Sequence, residues 1–354
     1  MSLKRKAIAL VSGGLDSMLA VKVVQEQGIE VEGVNFYTGF CVEGHTHAIR
    51  KKDAKKEKRN NALWVAETLG IKLHIEDISE EYKDIVINPK HGYGQNLNPC
   101  LDCKVFMVNQ AQLMLNRARD LADDGGFDFI ITGEVIGQRP KSQRKETMPL
   151  IARESGATDR LLRPLCAKNL PPTLPELEGW VNRDELHDFS GRNRKPQMEL
   201  AAKYGLDEYA QPAGGCCFLT DKSYSDKLSD LWQARGERRY ELDDIMLLKV
   251  GRHLRPKENF KMIISREEGE NRFLEGYRKA FTHLVCTSHP GPLTLIDGDP
   301  SEDDLKLAAR ISTRFSKARE ATEATVEIHY KGGVVKPLNI KPMSANDVKP
   351  EWHI

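Results

Sequence analysis

Two rhythms of apolar and polar residues alternate along the first 165 positions. The short apolar runs at 7–11, 31–36, 71–75 and 127–131 are too brief for helices and read as strands buried on both faces. Between them, apolar residues recur three and four apart, which predicts helices over about 17–27, 53–69 and 99–122. Leu19, Val23 and Val24 share one face of the first helix, and Gly28 and Gly70 stand where the first two helices should end. This alternation predicts an α/β fold, a doubly wound parallel sheet covered by helices on both faces. Ligands of such sheets bind at the carboxyl ends of the strands.

The texture changes near Leu165. Asn169-Leu170-Pro171-Pro172-Thr173-Leu174-Pro175 reads as a linker or domain entry, and 176–228 mixes short helices with loops. Strand-like runs follow at 245–250, 261–264, 293–296 and 325–330, with an amphipathic helix over 303–317. The expected organisation is an α/β domain at 1–164, a small central domain at 165–229 and an α+β domain at 230–354. A chain of 354 residues is long enough for such a division. No apolar run approaches the length of a membrane span. The basic Lys4-Arg5-Lys6 runs directly into the first strand, so the expectation is a cytoplasmic protein with no signal peptide and no membrane partner.

A net charge of +1 does not announce a polyanion binder, but the basic residues are clustered. Arg50-Lys51-Lys52, Lys55-Lys56, Lys58-Arg59, Arg139-Pro140-Lys141, Arg144-Lys145, Arg192-Asn193-Arg194-Lys195 and the 249–257 segment are separate groups. One such cluster reads as a solvated face, whereas several in one chain point toward nucleic acid. The odd count of seven cysteines in a long chain argues against a disulfide framework and for metal or sulfur chemistry.

Three segments carry candidate chemistry. The first is Ser12-Gly13-Gly14-Leu15-Asp16-Ser17, between the first strand and first helix. Glycines allow a backbone nest of N–H groups at a helix N-terminus, which suits a phosphate, and Ser12 and Ser17 can donate hydroxyls. Asp16 is expected to cap the helix and orient the loop. No lysine follows the glycines, so this is not a Walker A loop. A glycine-rich turn without a ligand is the plain alternative.

The second is Asn98-Pro99-Cys100-Leu101-Asp102-Cys103-Lys104. Pro99 suits a helix start, so Cys100 and Cys103 fall in the first turn, where the dipole and Lys104 should favour thiolate. Such a pair can hold zinc, do redox chemistry, join an iron–sulfur site or simply pack. The third is Gly214-Gly215-Cys216-Cys217-Phe218, a tight turn ahead of two adjacent thiols. Cys41, Cys166 and Cys286 read as packing thiols, and His45 and His47 as loop histidines.

The first segment matches in full the Ser-Gly-Gly-x-Asp-Ser pattern of the PP-loop ATP pyrophosphatases, which it resembles. Four features occur in the same order as in the tRNA thiouridine synthetases of the 2-thiouridylase type. They are this loop, an Asn-Pro-x-x-x-Cys-Lys-like helix start, Thr132-Gly133-Glu134, and a Gly-Cys-Phe-like segment. The resemblance covers about residues 5–225. It implies that ATP, with Mg2+ on its pyrophosphate, adenylates a uridine carbonyl oxygen of tRNA, and that sulfur then replaces AMP. It further implies that Thr132 and Gly133 approach the α-phosphate or the reacting base, that Asn35 and Phe36 lie beside the adenine, and that Arg139 and Lys141 line the RNA entrance.

One branch of this family carries sulfur as a cysteine persulfide. Another binds a [4Fe–4S] cluster through three cysteines, and Cys100, Cys103 and Cys216 would be those ligands here. Cys217 fits the Gly-x-Cys-Phe pattern better than Cys216. The sulfur donor would be a separate protein or free sulfide. Lys249 to Lys257 and Ser265 to Asn271 resemble the RNA-binding module of NFACT-type proteins, which implies RNA contacts at Arg252, His253 and Arg255. A PP-loop sulfurtransferase acting on a small molecule, and a non-catalytic RNA- or ribosome-binding adaptor, are the alternatives.

Overall fold

A computed structural model describes residues 5–42, 60–120, 126–209 and 216–354. The chain divides into two compact units, residues 1–43 with 59–216 and residues 44–58 with 217–354. His45, His47 and the basic clusters between 50 and 59 lie outside the described residues, as do Gly214 and Gly215.

The first unit is built on five strands, β1 (Lys6–Leu10), β2 (Glu30–Tyr37), β3 (Leu73–Asp77), β4 (Phe129–Thr132) and β5 (Leu161–Leu162). They pair in parallel in the order β3-β2-β1-β4-β5. Ala7, Ala9 and Val11 face one side, beneath α1 (Leu15–Gln25) with its buried Leu15, Met18 and Leu19. Ile8, Val34 and Ile130 face the other, beneath Val108, Ala111 and Leu115 of α3 (Cys100–Asp120). Both faces are dry, and each such aliphatic side chain contributes about 1.5–3 kcal/mol. This is the predicted doubly wound sheet. The helix α2 (Asn61–Leu69) is capped by the Asn60 side chain, which accepts from Ala62 N and Leu63 N, and the part of the expected helix before residue 60 lies outside the described residues. Gly70 closes it in the left-handed conformation, as expected.

The expected boundary at 165 is not a boundary of the fold. Leu165, Ala167, Val181, Leu186, Leu200 and Ala201 belong to the same core as α1, and β5 completes the parallel sheet. The proline-rich stretch is a surface crossing within the first unit.

The second unit holds six strands, β6 (Arg252–Lys257), β7 (Phe260–Ile264), β8 (Thr282–Cys286), β9 (Thr294–Gly298), β10 (Ala324–His329) and β11 (Val335–Ile340). Their order is β11-β10-β8-β9-β7-β6, and every pair is antiparallel. Phe260, Met262 and Ile264 face the helix Glu302–Arg314, while Ile263 faces Leu247, Val250 and Leu274. Residues 245–247, the start of the run expected as a strand at 245–250, lie in the helix Leu242–Leu247 instead. A reciprocal cap between Glu241 and Asp244 starts it, and a four-residue apolar run cannot distinguish the two states.

Candidate active site

The PP-loop joins β1 to α1 at the carboxyl end of the parallel sheet. Gly13 has φ +77°, and a Cβ there would lie 2.6 Å from Asn61 Cβ and 2.8 Å from Ala62 N. Only glycine fits, because both the conformation and the contact with α2 exclude a side chain. Gly14 is the N-cap of α1, and no side chain caps the helix, which leaves its first N–H groups to an external acceptor. Ser17 Oγ donates to Gly14 O at 2.8 Å, and Ser12 Oγ lies 3.4 Å from Ser17 Oγ. Leu15 is buried in the core, so it offers the site its backbone only. Asn35 Nδ2 donates to Val11 O at 2.7 Å, which pins the strand end just before the loop. The ring of Phe36 packs with Ile8 and Val34 in the core, which leaves its backbone to face the strand end.

Gly133 meets the loop from the end of β4. A Cβ on it would lie 2.4 Å from the carbonyl carbon and oxygen of Asp16. Backbone-to-backbone approach therefore joins Thr132-Gly133 to the first turn of α1. The neighbouring Glu134 is buried and takes three cations or donors: Arg163 Nε at 2.9 Å, Thr132 Oγ1 at 3.0 Å and Lys104 Nζ at 3.8 Å. Burial would raise its carboxyl, but Lys104 and Arg163 outweigh that and hold it below the ordinary glutamate value.

Asp16 does not cap α1 as expected. Its carboxylate turns sideways, accepting from Gln138 Nε2 at 2.7 Å and pairing with Arg194 at 3.5 Å. Burial raises its pKa, against the pull of Arg194 and Gln138. Its other oxygen, Oδ1, is buried and has no hydrogen-bond partner. A buried carboxylate oxygen beside a phosphate-binding loop fits Mg2+ or one of its waters, so Asp16 is the residue that would hold the ion. The contributions of Gln138, Arg194 and Gln197 were missed in sequence. Their signal was the spacing Gly191-x-x-Arg194-x-x-Gln197, hidden inside what read as one more basic cluster.

The thiols gather nearby in the first unit. Cys100 opens α3, and Cys103 N bonds to Pro99 O at 2.8 Å in the first turn. Asp102 in that turn is buried and holds the preceding loop by accepting from His91 N at 3.1 Å. Cys100 Sγ donates to Ser142 Oγ at 3.6 Å. It also lines a cleft of about 110 Å³ with His91, Gly94, Lys141, Arg144 and Thr147. The expectation that the helix start favours thiolate is corrected at Cys103. Burial, with help from Cys216 and Cys100, pushes its thiol up to about 12, and Lys104 and the Tyr82 hydroxyl only partly oppose this.

Cys216 is exposed, and its backbone carbonyl accepts from Val42 N. Cys217 belongs to the second unit, where its Sγ accepts from Leu219 N at 3.4 Å as the cap of a short 3-10 turn. Cys103 is near enough to Cys100 and Cys216 to respond to both. Yet among the described residues no three His, Cys, Asp or Glu side chains form a group able to hold a metal ion. Cys166 is buried against Glu134 O, as expected of a packing thiol.

Arg139 and Lys141 are exposed. In the second unit the expected RNA contacts fare differently. His253 is buried, its Nε2 faces Val250 O at 2.9 Å, and burial holds its pKa well below the ordinary value. It is a neutral core residue, and the expectation of a phosphate contact there is corrected. Arg255 grips Asp230 through two bonds of 2.5 and 2.8 Å. Arg252 lies over the Phe315 ring at 5.0 Å.

Comparison with known proteins adds three findings. Residues 5–154 match the model of the tRNA methyl transferase HUP domain, and residues 251–353 match that of the NFACT protein RNA binding domain. The chain is 25% identical over 368 residues to the tRNA-specific 2-thiouridylase MnmA of Geotalea uraniireducens (strain Rf4), covering 97% of this chain and 86% of that protein. It is also 25% identical over 365 residues to the enzyme of the same name from Pelobacter propionicus (strain DSM 2379 / NBRC 103807 / OttBd1), covering 96% and 91%. A 4-thiouridine synthetase solved with RNA and ATP superposes with a TM-score of 0.37 at 22% identity, over 62% of this chain and 46% of that one.

Proposed function

We propose that the chain is a PP-loop tRNA thiouridylase with an NFACT-type RNA-binding domain, and that it thiolates a uridine of tRNA at the expense of ATP. The observation that carries this reading is the convergence, in one unit, of the PP-loop, the close-packed Gly133 and the Cys100–Cys103–Cys216 group.

ATP would lie with its phosphates on the N–H groups at Gly14 to Ser17, and Asp16 would hold Mg2+, which would supply charge neutralisation as pyrophosphate leaves. The uridine carbonyl oxygen attacks the α-phosphorus, the bond to the pyrophosphate breaks, and the base becomes O-adenylated. Exposed Cys216 is the sulfur acceptor. A persulfide-bearing donor protein, or sulfide with an oxidant, supplies its outer sulfur. That sulfur attacks the adenylated carbon and AMP departs with the original oxygen. A thiolate from the Cys100–Cys103 pair then attacks Cys216 Sγ, the S–S bond breaks, and the thiocarbonyl leaves on the base. The resulting disulfide is reset by a dithiol reductant. Cys103 enters as a thiol, since its proton is held to about pH 12. A [4Fe–4S] cluster, where bound, would be held by Cys100, Cys103 and Cys216 and would present sulfide to the adenylated carbon in place of the persulfide.

Arg139, Lys141 and Arg144 stand exposed near Asp16 and around the Cys100 cleft, where they suit tRNA phosphates. Arg252 and Arg255 of the second unit are engaged with Phe315 and Asp230, so their expected RNA contact would require those partners to be shared. ATP-dependent formation of thiouridine in tRNA, with one AMP and one pyrophosphate per thiol, tests the reading. ATP consumption that ignores tRNA would point to the small-molecule sulfurtransferase instead.

A further inference from the structure

The wall opposite the PP-loop is built by a segment that no motif assigned. Ser190 pairs with Ile136 as an isolated parallel bridge, and Gly191 N donates to Ile136 O at 2.7 Å. Gly137, at φ +77°, would place a Cβ 3.4 Å from the Gly191 backbone. Two loops are therefore stitched together backbone to backbone, one from β4 and one leading into the helix Lys195–Lys203. The join carries Gln138, Arg194 and Gln197 to Asp16.

These four side chains leave a distinctive set of atoms unused. Gln138 takes Asp16 Oδ2 at 2.7 Å, and Gln197 Nε2 supports Gln138 Oε1 at 3.4 Å. Asp16 Oδ1, Arg194 Nε and Gln197 Oε1 are all buried and have no hydrogen-bond partner. Gln197 is 1% exposed, so its amide cannot turn to bulk water. One orphaned buried polar atom costs about 1–3 kcal/mol, and three in one cluster beside a helix N-terminus mark a ligand's place. The ligand must accept from a guanidinium N–H and donate to a carboxylate and an amide oxygen. A hydrated Mg2+–polyphosphate does both, through a phosphate oxygen and metal-bound waters.

We propose that Arg194 and Gln197 form a clamp for the leaving pyrophosphate of ATP, with Arg194 binding a phosphate oxygen through Nε while its terminal nitrogen keeps Asp16 oriented. Gln197 Oε1 and Asp16 Oδ1 take the waters of the magnesium ion. Arg194 is a positioning residue for the departing group, supplied from a loop roughly 180 residues after the PP-loop in sequence. Lys195 next to it is exposed and pairs with Glu199 at 3.7 Å, outside the clamp. The inference rests on the ATP-using reading of this site.

The test is calorimetric titration of the full chain with Mg·ATP, Mg·pyrophosphate and AMP. Arg194→Gln is expected to weaken ATP and pyrophosphate at least roughly tenfold and to leave AMP within about twofold, with Arg194→Lys recovering part of the loss and Lys195→Gln unchanged. Equal weakening of AMP would mean a structural role, and unchanged ATP affinity would remove the clamp; either overturns the proposal. Gln197→Leu leaves the Asp16–Arg194 pair in place and guards against misfolding of the arginine variant. It should raise the Mg2+ needed for half-maximal ATP binding by about threefold or more, and an unaltered Mg2+ dependence contradicts its part. If the unaltered protein binds no ATP, the ATP-using reading itself falls and takes this one with it. If it binds ATP and Arg194→Gln binds it as tightly, the clamp alone falls.

Discussion

Lys261 of β7 is buried and Asp16 of α1 is largely so, but their surroundings differ. Lys261 lies 3.8 Å from Asp230 and 3.7 Å from Asp297, and Arg255 fills Asp230 from a second side. Lys257, Asn259 and Ser301 likewise converge on Asp304. In that unit buried charge is matched by charge and acts as scaffold. Around Asp16 the matching is incomplete, and the leftover atoms on Asp16, Arg194 and Gln197 point to one place. Ionic pairing alone therefore does not identify a site. The unmatched remainder at the end of a strand does.

The sharpest way to break the comparison lies with the thiols. Cys216→Ser should lower tRNA thiolation by about 10³-fold or more while tRNA-dependent release of pyrophosphate continues, because adenylation precedes sulfur transfer. Loss of both activities together would show that Cys216 supports the fold or the ATP site instead. A smaller effect is expected from Asp230→Ala, which leaves Arg255 and Lys261 with an uncompensated buried charge. It should destabilise the second unit by about 3 kcal/mol, read by denaturant unfolding, without changing ATP affinity. An unchanged stability in Asp230→Ala would contradict the scaffold reading, since removing one partner of a buried pair leaves the other charge poorly compensated.

Gly133→Ala comes next. Its Cβ would sit 2.4 Å from the Asp16 backbone, and the cost of forcing the two apart is about 1–3 kcal/mol, felt as both a lower melting temperature and weaker ATP binding. A variant with native ATP affinity would show that the Gly133 contact does not shape the loop.

The smallest effect concerns pH. Glu134 is held below its ordinary value, so its contribution to stability is fully present above about pH 4.3 and declines as pH falls through the lowered folded value. Wild-type stability should therefore drop more steeply below pH 4 than that of Glu134→Gln. Parallel curves would mean that Lys104 and Arg163 do not hold the carboxylate charged.

What the sequence disclosed follows the range of the interactions. The parallel sheet and the loop after β1 were legible because strand length, helix period and the Gly13-Gly14 turn are local. The partners of Asp16 were not, because Arg194 reaches it through a backbone bridge between Ile136 and Ser190 that no local pattern encodes. Cys103 shows the same limit. Its helix start and Lys104 were visible, whereas burial of the thiol and the draw of Glu134 on the Lys104 ammonium come from tertiary packing. In the second unit, Arg252 to Lys257 stood out as a basic cluster because Asp230, which neutralises Arg255, arrives from a helix before the strand.

The central claim is that this chain uses one ATP to place one sulfur on tRNA through cysteine thiols. The most direct measurement is single-turnover reaction of the persulfide-loaded protein with tRNA and Mg·ATP, following AMP, pyrophosphate and thiouridine together, beside iron and sulfide analysis of the same anaerobic preparation. The account predicts equal amounts of all three products from iron-free protein. Thiouridine formed only by preparations holding about four irons per chain, or AMP released with no thiouridine, would contradict it.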